Sequence, residues 1–208
     1  MTFKTEQENF WAGDFGNEYN TRNQGEELVT SNVVLFGKIL KAASNIESVV
    51  ELGCNIGLNL KALNRIKNTF ELCGYEINKT AAIKARNLNI ANVIDGTILD
   101  VLPTDKKYDL CFTKGVLIHI NPNEIHKVYD NMFNLSRRYI AICEYYNPSP
   151  ITVKYRDNEE KLFKRDFAGD LIDKYNLRLI DYGFIYHRDN YFPQDDCTWF
   201  LLEKQDQN

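Results

Sequence analysis

Short apolar runs alternate with stretches of helical periodicity along this chain. The runs that predict buried strands lie at residues 49–52, 70–78, 92–96, 108–113 and 138–144. Apolar residues recur at helical spacing over residues 26–41, 58–67, 79–88, 121–135 and 166–175. Five strand–helix alternations predict a parallel sheet with right-handed crossovers. Two further runs, 177–186 and 198–203, predict a terminal strand pair and therefore an antiparallel edge strand.

Two segments fall outside this rhythm. Residues 1–25 are polar and aromatic and are punctuated by glycine, and residues 145–165 show little helical periodicity. We expect 1–45 to form a helical and aromatic lid segment. Residues 46–208 would form the main domain, with an acceptor-side insertion at about 145–165, because long ordered connections are usually functional. The alternative for the first segment is simple packing on the domain surface.

A glycine turn follows the first predicted strand. Glu51 ends the strand, and Gly53 and Gly57 are separated by three residues before a helical stretch begins. Glycine permits a sharp turn there, and a helix start offers unpaired N–H groups to an anion. Amide donors beside a carboxylate suit a zwitterion better than a pyrophosphate, and the spacing differs from the Gly-x-Gly-x-x-Gly of dinucleotide sites.

Composition argues against several classes of function. The chain has 208 residues and a net charge of −4, which argues against a nucleic-acid groove or an anionic membrane surface as partner. It has neither a signal-type apolar run near the N-terminus nor a stretch of about 20 apolar residues. We therefore expect a cytoplasmic protein.

The five cysteines give no metal-ligand pattern. They stand singly in apolar settings and none forms Cys-x-x-Cys. We expect buried thiols in a reducing compartment and no metal, with Cys54 the one candidate for lining a pocket.

Three later turns supply candidate binding groups. Glu76 ends the second strand, where a carboxylate can accept hydrogen bonds from both ribose hydroxyls of an adenosine cofactor. That role fits NAD and S-adenosylmethionine equally, and a solvated carboxylate is the alternative. Thr97 and Ile98 follow the third strand, near the expected adenine, and the turn Lys114–Gly115 follows the fourth.

The chain resembles a known family over nearly its whole length. The glycine turn is similar to the first motif of class I S-adenosylmethionine-dependent methyltransferases. More specific blocks resemble the bacterial pseudaminic acid biosynthesis-associated methylases, and they lie at 10–13, 114–122, 144–150, 162–169 and 181–190. The resemblance implies an α/β Rossmann-like fold, a mostly parallel seven-stranded sheet of order 3-2-1-4-5-7-6, and S-adenosyl-L-methionine as methyl donor.

The resemblance also implies roles for individual residues. Glu51, Gly53 and Gly57 would frame the methionine part, Glu76 the ribose and Ile77 the adenine face. Many class I enzymes bind the adenine amino group with Asp after the third strand, but Thr97 occupies that place here, which leaves backbone groups to serve. Together with the turns above, the expected cofactor residues are Arg22, Glu51, Gly53, Cys54, Gly57, Glu76, Ile77, Gly96, Thr97, Ile98, Lys114 and Gly115.

Methyl transfer is an in-line displacement, for which the protein mainly aligns the reactants. A hydroxyl acceptor benefits from a general base, whereas a neutral amine needs none. The candidates for catalysis are His187, His119, Glu144 and Tyr146. A packed histidine at 119 and a surface-loop histidine at 187 are the alternatives.

Aromatic and charged residues outside the turns are candidates for acceptor binding. An arginine can pair with a sugar carboxylate or phosphate in a bidentate manner, although solvated charge is the alternative for several of them. The candidates are Trp11, Tyr145, Arg156, Arg165, Arg188 and Asp189.

The sequence thus predicts a methyltransferase for a small acidic sugar or sugar nucleotide in surface-glycan biosynthesis. A NAD-dependent sugar oxidoreductase shares the sheet and Glu76, but not the glycine spacing. A protein that binds the cofactor without turnover is the other alternative. We expect neither nucleic acid nor membrane as a partner, and the oligomeric state stays open.

Overall fold

A computed structural model describes residues 3–205, in which the chain forms a seven-stranded sheet and a separate hairpin. The sheet order is β3-β2-β1-β4-β5-β9-β8. β1 to β5 are parallel, β9 runs antiparallel to β5, and β8 pairs antiparallel with β9 at the edge. The strands are β1 Ser48–Leu52, β2 Glu71–Glu76, β3 Asn92–Asp95, β4 Tyr108–Lys114, β5 Ser136–Glu144, β6 Ile151–Tyr155, β7 Asn158–Lys164, β8 Arg178–Ile185 and β9 Cys197–Glu203.

The predicted sheet is confirmed. If the hairpin strands β6 and β7 are left out of the count, the order is the expected 3-2-1-4-5-7-6, with the antiparallel pairing at its edge. Each predicted helix is also present, with ends that differ by a few residues. The helices are α1 Glu6–Ala12, α2 Asp14–Arg22, α3 Glu26–Lys41, α4 Leu58–Ile66, α5 Lys79–Arg86, α6 Ile125–Leu135 and α7 Phe167–Tyr175.

Two apolar layers enclose the sheet. Successive residues of a strand point to opposite faces, so Val49 packs with α3, α4 and α5, whereas Val50 packs with α6 and α7. All five residues of β1 are buried. This double burial places β1 in the middle of the core and brings its carboxyl end to the centre of the sheet edge.

The N-terminal segment, predicted to be helical and aromatic, contains two helices that no individual prediction placed. It folds into α1 and α2, which meet at Gly13. A capping box starts α1, because the Thr5 hydroxyl accepts from the Glu8 N–H and the Glu8 carboxylate accepts from the Thr5 N–H. Periodicity did not show these helices because their buried residues are largely polar. Residues 1–2 and 206–208, the ends of the two predicted segments, lie outside the described residues.

The predicted connection at 145–165 is a β-hairpin, which the sequence interpretation missed. Ile151–Tyr155 and Asn158–Lys164 pair antiparallel around a two-residue turn, Arg156-Asp157. Both turn residues have positive φ, +46° and +66°, as expected for the turn type that matches strand twist. Asn-Gly is the usual sequence signal for this turn, and this chain does not carry it.

Neither a membrane span nor a metal cluster is found in the described part of the chain. No helix of residues 3–205 is both long and apolar enough to cross a bilayer. The same residues contain no group of three His, Cys, Asp or Glu side chains placed to hold a metal ion.

Candidate active site

Two adjoining cavities lie above the carboxyl ends of the central strands, and we call them together the crevice. The first has about 820 Å³ of empty space and the second about 1290 Å³. Among the described residues, both cavities are lined by Tyr19, Gly53, Asn55, Lys114, Gly115 and His119. These shared residues form a junction, so a single elongated ligand can extend from one cavity into the other.

The glycine turn at the end of β1 forms part of the junction. Gly53 has φ +82°, and a Cβ at this position would lie 2.7 Å from Val116 Cγ2. The Gly53 and Cys54 N–H groups both donate to the Tyr75 carbonyl at 2.9 Å. Gly53 and Cys54 line the crevice as predicted. Only glycine fits here, because both the left-handed backbone and the Val116 contact exclude a side chain.

Gly57 serves packing rather than the crevice. It also has a left-handed backbone, φ +83°, but a Cβ there would meet Leu88 Cδ1 at 3.0 Å and Ala85 Cβ at 3.2 Å. These contacts are with α5 and the turn after it. Gly57 therefore allows α4 and α5 to approach each other. It is not among the described residues that line the crevice, where the contact with the methionine part was predicted.

Glu51, predicted to contact the cofactor, is not among the described residues that line the crevice and lies beneath it. Its side chain is fully buried, Oε1 accepts from Asn59 Nδ2 at 2.6 Å, and Oε2 has no hydrogen-bond partner among the described residues. Burial raises the pKa of Glu51 to about 8, although Asn59 and the charge of Lys114 favour the ionised form. Glu51 Oε2, a buried acceptor without a partner, suits a ligand that brings a positive charge.

Glu76 lines the first cavity at the end of β2. It is 7% exposed, and its two oxygens accept from the Asn55 and Asn78 N–H groups at 2.7 Å each. Burial raises the pKa of Glu76, and these backbone donors oppose the shift. Each oxygen keeps a further lone pair. The carboxylate is thus fixed in orientation and still able to accept from a pair of hydroxyls.

The outer part of the first cavity has apolar walls and a small polar cluster. Ile77, Gly96, Thr97 and Ile98, all candidates for cofactor binding, line it. The Thr97 hydroxyl donates to a carboxylate oxygen of Glu8, and the Leu99 N–H donates to Thr97 Oγ1 at 3.0 Å. The sequence did not predict Glu8, because this contact joins the first helix to a turn 89 positions away.

A chain of amide side chains connects the N-terminal helices to the glycine turn. Asn55 Nδ2 donates to Asn20 Oδ1 at 2.8 Å, and Asn20 Nδ2 donates to Asn78 Oδ1 at 3.3 Å. Asn78 Nδ2 in turn donates to the Trp11 carbonyl at 3.1 Å. Asn20 is fully buried. The helices α1 and α2 are therefore hydrogen-bonded to the glycine turn and form one wall of the crevice. Residues 1–45, which include both helices, were predicted to form a lid.

His119 lies at the junction between rings from two different segments. Its centroid is 4.5 Å from that of Trp11 and 4.9 Å from that of Tyr155 on the hairpin. Its Nδ1 lies 2.7 Å from the Lys161 carbonyl oxygen. Burial lowers the pKa of His119 to about 4. The ring is therefore neutral near pH 7. The sequence left a packed histidine and a site histidine as alternatives, and His119 is both packed and part of the lining of the two cavities.

Glu144 has a different environment from the predicted one. Its side chain is buried, Oε1 accepts from the N–H groups of Val116 and Leu117, and Oε2 accepts from that of Ile118. Burial raises the pKa of Glu144 to about 7 against these donors. Among the described residues that line the crevice, Glu144 is absent. It holds the loop after β4 instead of facing an acceptor.

The second cavity lies between α2, α3 and the glycine turn on one side and the hairpin and the loops after β5 and β8 on the other. Tyr145 lines it, as predicted, together with Tyr155, Gln194 and Asp195, which the sequence did not single out. His187 lies at its exposed rim, where its Nδ1 contacts Asp196 Oδ1 at 2.7 Å and its N–H donates to the same oxygen at 2.9 Å. A carboxylate thus fixes the orientation of this histidine ring.

Several predicted residues lie away from the crevice. None of them is among the described residues that line either cavity. Their charged groups are engaged elsewhere or exposed: Arg22 pairs with Glu18, Arg165 with Asp170, Asp189 accepts from two loop amides, and Tyr146 packs near Phe200. The residues so placed are Arg22, Tyr146, Arg156, Arg165, Arg188 and Asp189.

Comparison with solved structures identifies the fold. Magnesium protoporphyrin IX methyltransferase from Synechocystis PCC 6803 with bound SAM is 12% identical, with a TM-score of 0.68, and the alignment covers 99% of this chain and 100% of that one. An S-adenosylmethionine-dependent methyltransferase from Clostridium acetobutylicum ATCC 824 is 12% identical, with a TM-score of 0.61 and coverages of 92% and 98%.

A third match comes from a complex. The putative methyltransferase bound to the Haloferax volcanii Trm112 methyltransferase activator is 14% identical, with a TM-score of 0.68 and coverages of 99% and 100%. No protein-family model and no curated protein matches the sequence. The chain therefore has the α/β Rossmann-like fold of S-adenosylmethionine-dependent methyltransferases.

Proposed function

We propose that this chain is an S-adenosylmethionine-dependent methyltransferase acting on a small-molecule acceptor. The observation that carries the proposal is Glu76, a buried and oriented carboxylate that lines the crevice of a methyltransferase fold at the end of β2. That position is where a ligand binds in an open α/β sheet, outside the carboxyl ends of the strands.

The lining residues, together with Glu51 beneath them, fit the three parts of the cofactor. Glu76 would accept from the ribose hydroxyls, and Ile77 and Ile98 supply apolar faces for the base. The orphaned oxygen of Glu51 and the junction residue Lys114 complement the ammonium and carboxylate of an amino acid. When bound, the sulfonium supplies the transferable methyl group. The chain's own residues orient it and exclude water.

The His187–Asp196 pair is the proposed general base for a hydroxyl acceptor. The Asp196 carboxylate lies 2.7 Å from the ring nitrogen Nδ1 and fixes the orientation of the ring. A general base of this kind contributes roughly 10²–10⁴-fold to the rate. His119 is the less suitable of the two, because burial lowers its pKa to about 4 and weakens it as a base. Its place is to shape the junction.

The acceptor class is proposed on two supports. The sequence blocks resemble the pseudaminic acid biosynthesis-associated methylases, which favours a small acidic sugar or sugar nucleotide in surface-glycan biosynthesis. The second cavity is lined by amide side chains that suit sugar hydroxyls and by aromatic rings that suit sugar faces. Those residues are Asn23, Asn32, Asn55, Asn59, Gln194, Tyr19, Tyr145 and Tyr155.

Isothermal titration calorimetry on the wild-type chain tests the cofactor. We expect binding of S-adenosylmethionine and S-adenosylhomocysteine, and no binding of NAD at the same concentrations. Binding of NAD alone would support the oxidoreductase alternative and overturn the proposal. The absence of heat with either sulfur compound at high micromolar concentration would also overturn it.

The acceptor is tested by methyl transfer from labelled cofactor across a panel of sugars. We expect transfer to acidic nine-carbon sugars or their nucleotides, and none to matched neutral sugars. Transfer to a different class of small molecule would leave the methyltransferase proposal intact and overturn the acceptor proposal. Cofactor binding without transfer to any compound of the panel would favour a non-catalytic role.

A further inference from the structure

The outer end of the first cavity holds one charged side chain besides Glu76 and the junction residue Lys114. Among the described residues that line this cavity, it is Glu8 of α1. Glu8 is 6% exposed, and a carboxylate buried to this degree requires partners. It reaches the cavity from the N-terminal helix, on the side where Thr97 and Ile98 follow β3.

Glu8 is held in place at both oxygens. Oε2 accepts from the Lys4 N–H at 2.5 Å and from the Thr5 N–H at 3.1 Å. Oε1 accepts from the Thr97 hydroxyl, which itself accepts from the Leu99 N–H. A carboxylate oxygen has room for a second donor. Oε1 is therefore an oriented acceptor with unused capacity at the cavity wall.

The other polar side chains at this end have their donors or acceptors engaged. Gln7 Nε2 donates to the Glu160 carbonyl at 3.0 Å, and Gln7 Oε1 accepts from Asn121 Nδ2 at 3.3 Å. Asn121 Oδ1 accepts from the Asn123 N–H at 3.0 Å. Glu8 is thus the group best placed to meet the polar edge of a flat ring packed between Ile77 and Ile98.

We infer that Glu8 accepts a hydrogen bond from the 6-amino group of the cofactor's adenine ring. The inference rests on the proposed function, since Glu76 must bind the ribose for the base to lie at this end. An ionised carboxylate only accepts hydrogen bonds. It therefore favours a 6-aminopurine over a 6-oxopurine, whose oxygen would face it without a proton between them. Glu8 on α1 thus takes the role that an Asp after the third strand has in many class I methyltransferases.

The test compares two ligands that differ at the purine 6-position, S-adenosylhomocysteine and S-inosylhomocysteine. Calorimetry of the wild-type chain should show a preference of about tenfold or more for the amino compound, as expected for loss of a charge-assisted hydrogen bond. In Glu8→Gln we expect the preference to fall to within about threefold, because an amide can donate to the oxo group as well as accept.

Glu6→Gln is the matched control. It removes a carboxylate from the same helix, but Glu6 is exposed and pairs with Lys161 Nζ at 2.7 Å outside the cavity lining. We expect the wild-type preference in this variant. A wild-type chain that binds both ligands equally, or a preference unchanged in Glu8→Gln, would overturn the inference and leave the methyltransferase proposal standing. A wild-type chain that binds neither ligand would overturn both.

A wild-type crystal structure with S-adenosylhomocysteine decides the matter if Glu8→Gln does not fold. A distance of about 3 Å between a Glu8 carboxylate oxygen and the exocyclic nitrogen supports the inference. A separation beyond about 4 Å overturns it.

Discussion

The two cavities of the crevice are built by different means. The first is formed by strand ends and by α1 and α2, and its two carboxylates, Glu8 and Glu76, are held by hydrogen bonds from backbone amides. The second has one wall from α2, α3 and the glycine turn and another from the hairpin and the loops after β5 and β8, where His187 lies at an exposed rim.

This difference separates two kinds of recognition. A pre-organised site loses little entropy on binding and suits one invariant ligand, which is the role we propose for the first cavity. The wall of the second cavity that comes from the hairpin and loops can change without disturbing the sheet, which suits a variable acceptor. The junction residues, with His119 among them, are where the two must meet for a methyl group to pass.

Among the variants that test this comparison, we expect the largest loss of cofactor affinity at Glu76. In Glu76→Ala, affinity for S-adenosylhomocysteine should fall about a thousandfold, because two charge-assisted hydrogen bonds to the ribose are lost. Calorimetry measures the loss, and circular dichroism checks that the chain is folded. Asp95→Asn is the control, because Asp95 sits beside Glu76 in the β2–β3 register but pairs with Arg86 at 2.5 Å. Equal affinities in wild type and Glu76→Ala would refute the assignment of the first cavity.

The burial of the junction is tested by the pH dependence of stability. The unfolded chain binds a proton at His119 below about pH 6.5, whereas the folded chain does so only below about 4. Stability from this residue is therefore complete above pH 6.5 and is lost as pH falls toward 4, by about 3 kcal/mol. Urea unfolding of wild type and His119→Phe between pH 4 and 7 should show a flatter profile in the variant.

His126→Gln provides the comparison for that profile, since His126 is exposed on α6. Its pH profile should follow that of wild type. If His119→Phe and wild type have parallel profiles, folding does not change the pKa of the ring, and the junction is wetter than the structure indicates.

In the second cavity, a substitution should lower turnover of the acceptor and leave cofactor affinity unchanged. In His187→Ala we expect turnover of the acceptor to fall about a hundredfold, because a general base is lost, with the affinity for S-adenosylmethionine unchanged. Single-turnover kinetics with calorimetry separates the two quantities. Tyr191→Ala, in the same loop and 83% exposed, is the control and should turn over at the wild-type rate. Wild-type turnover in His187→Ala would show that His187 is a surface residue without a role in catalysis.

The smallest effect is expected from the glycine turn. Gly53→Ala places a Cβ against Val116 in a left-handed backbone, and we expect about 1–3 kcal/mol of destabilisation and about a tenfold loss of cofactor affinity. Gly37→Ala is the control, since a Cβ there meets nothing within 4 Å on α3. That change should raise stability by about 0.5–1 kcal/mol. A Gly53→Ala chain with wild-type stability would show that the turn relaxes freely.

The sheet and the strand-end positions were predictable from the sequence because both are local. The runs at Val49–Leu52 and 108–113 have strand length, and the turns after them contain the glycines that such turns require. The carboxyl end of each strand then follows from parallel topology. Glu76 could be placed at the crevice on this reasoning alone.

The remainder depended on contacts that periodicity does not contain. Glu144 was placed at the correct end of β5, but the amides of residues 116–118 fold over its carboxylate. Glu8 reaches Thr97 across 89 positions. The hairpin turn uses Arg156-Asp157, which lacks the glycine that usually marks such a turn. In each case tertiary packing, rather than local preference, determined what the side chain contacts.

The contact between His119 and the hairpin has one further consequence. A carbonyl oxygen has no proton to give, so the Lys161 carbonyl 2.7 Å away assigns the ring's single proton to Nδ1 and leaves the lone pair on Nε2. The hairpin thereby selects the tautomer of a ring at the centre of the crevice. A displacement of that carbonyl would free the ring to exchange donor for acceptor at both nitrogens.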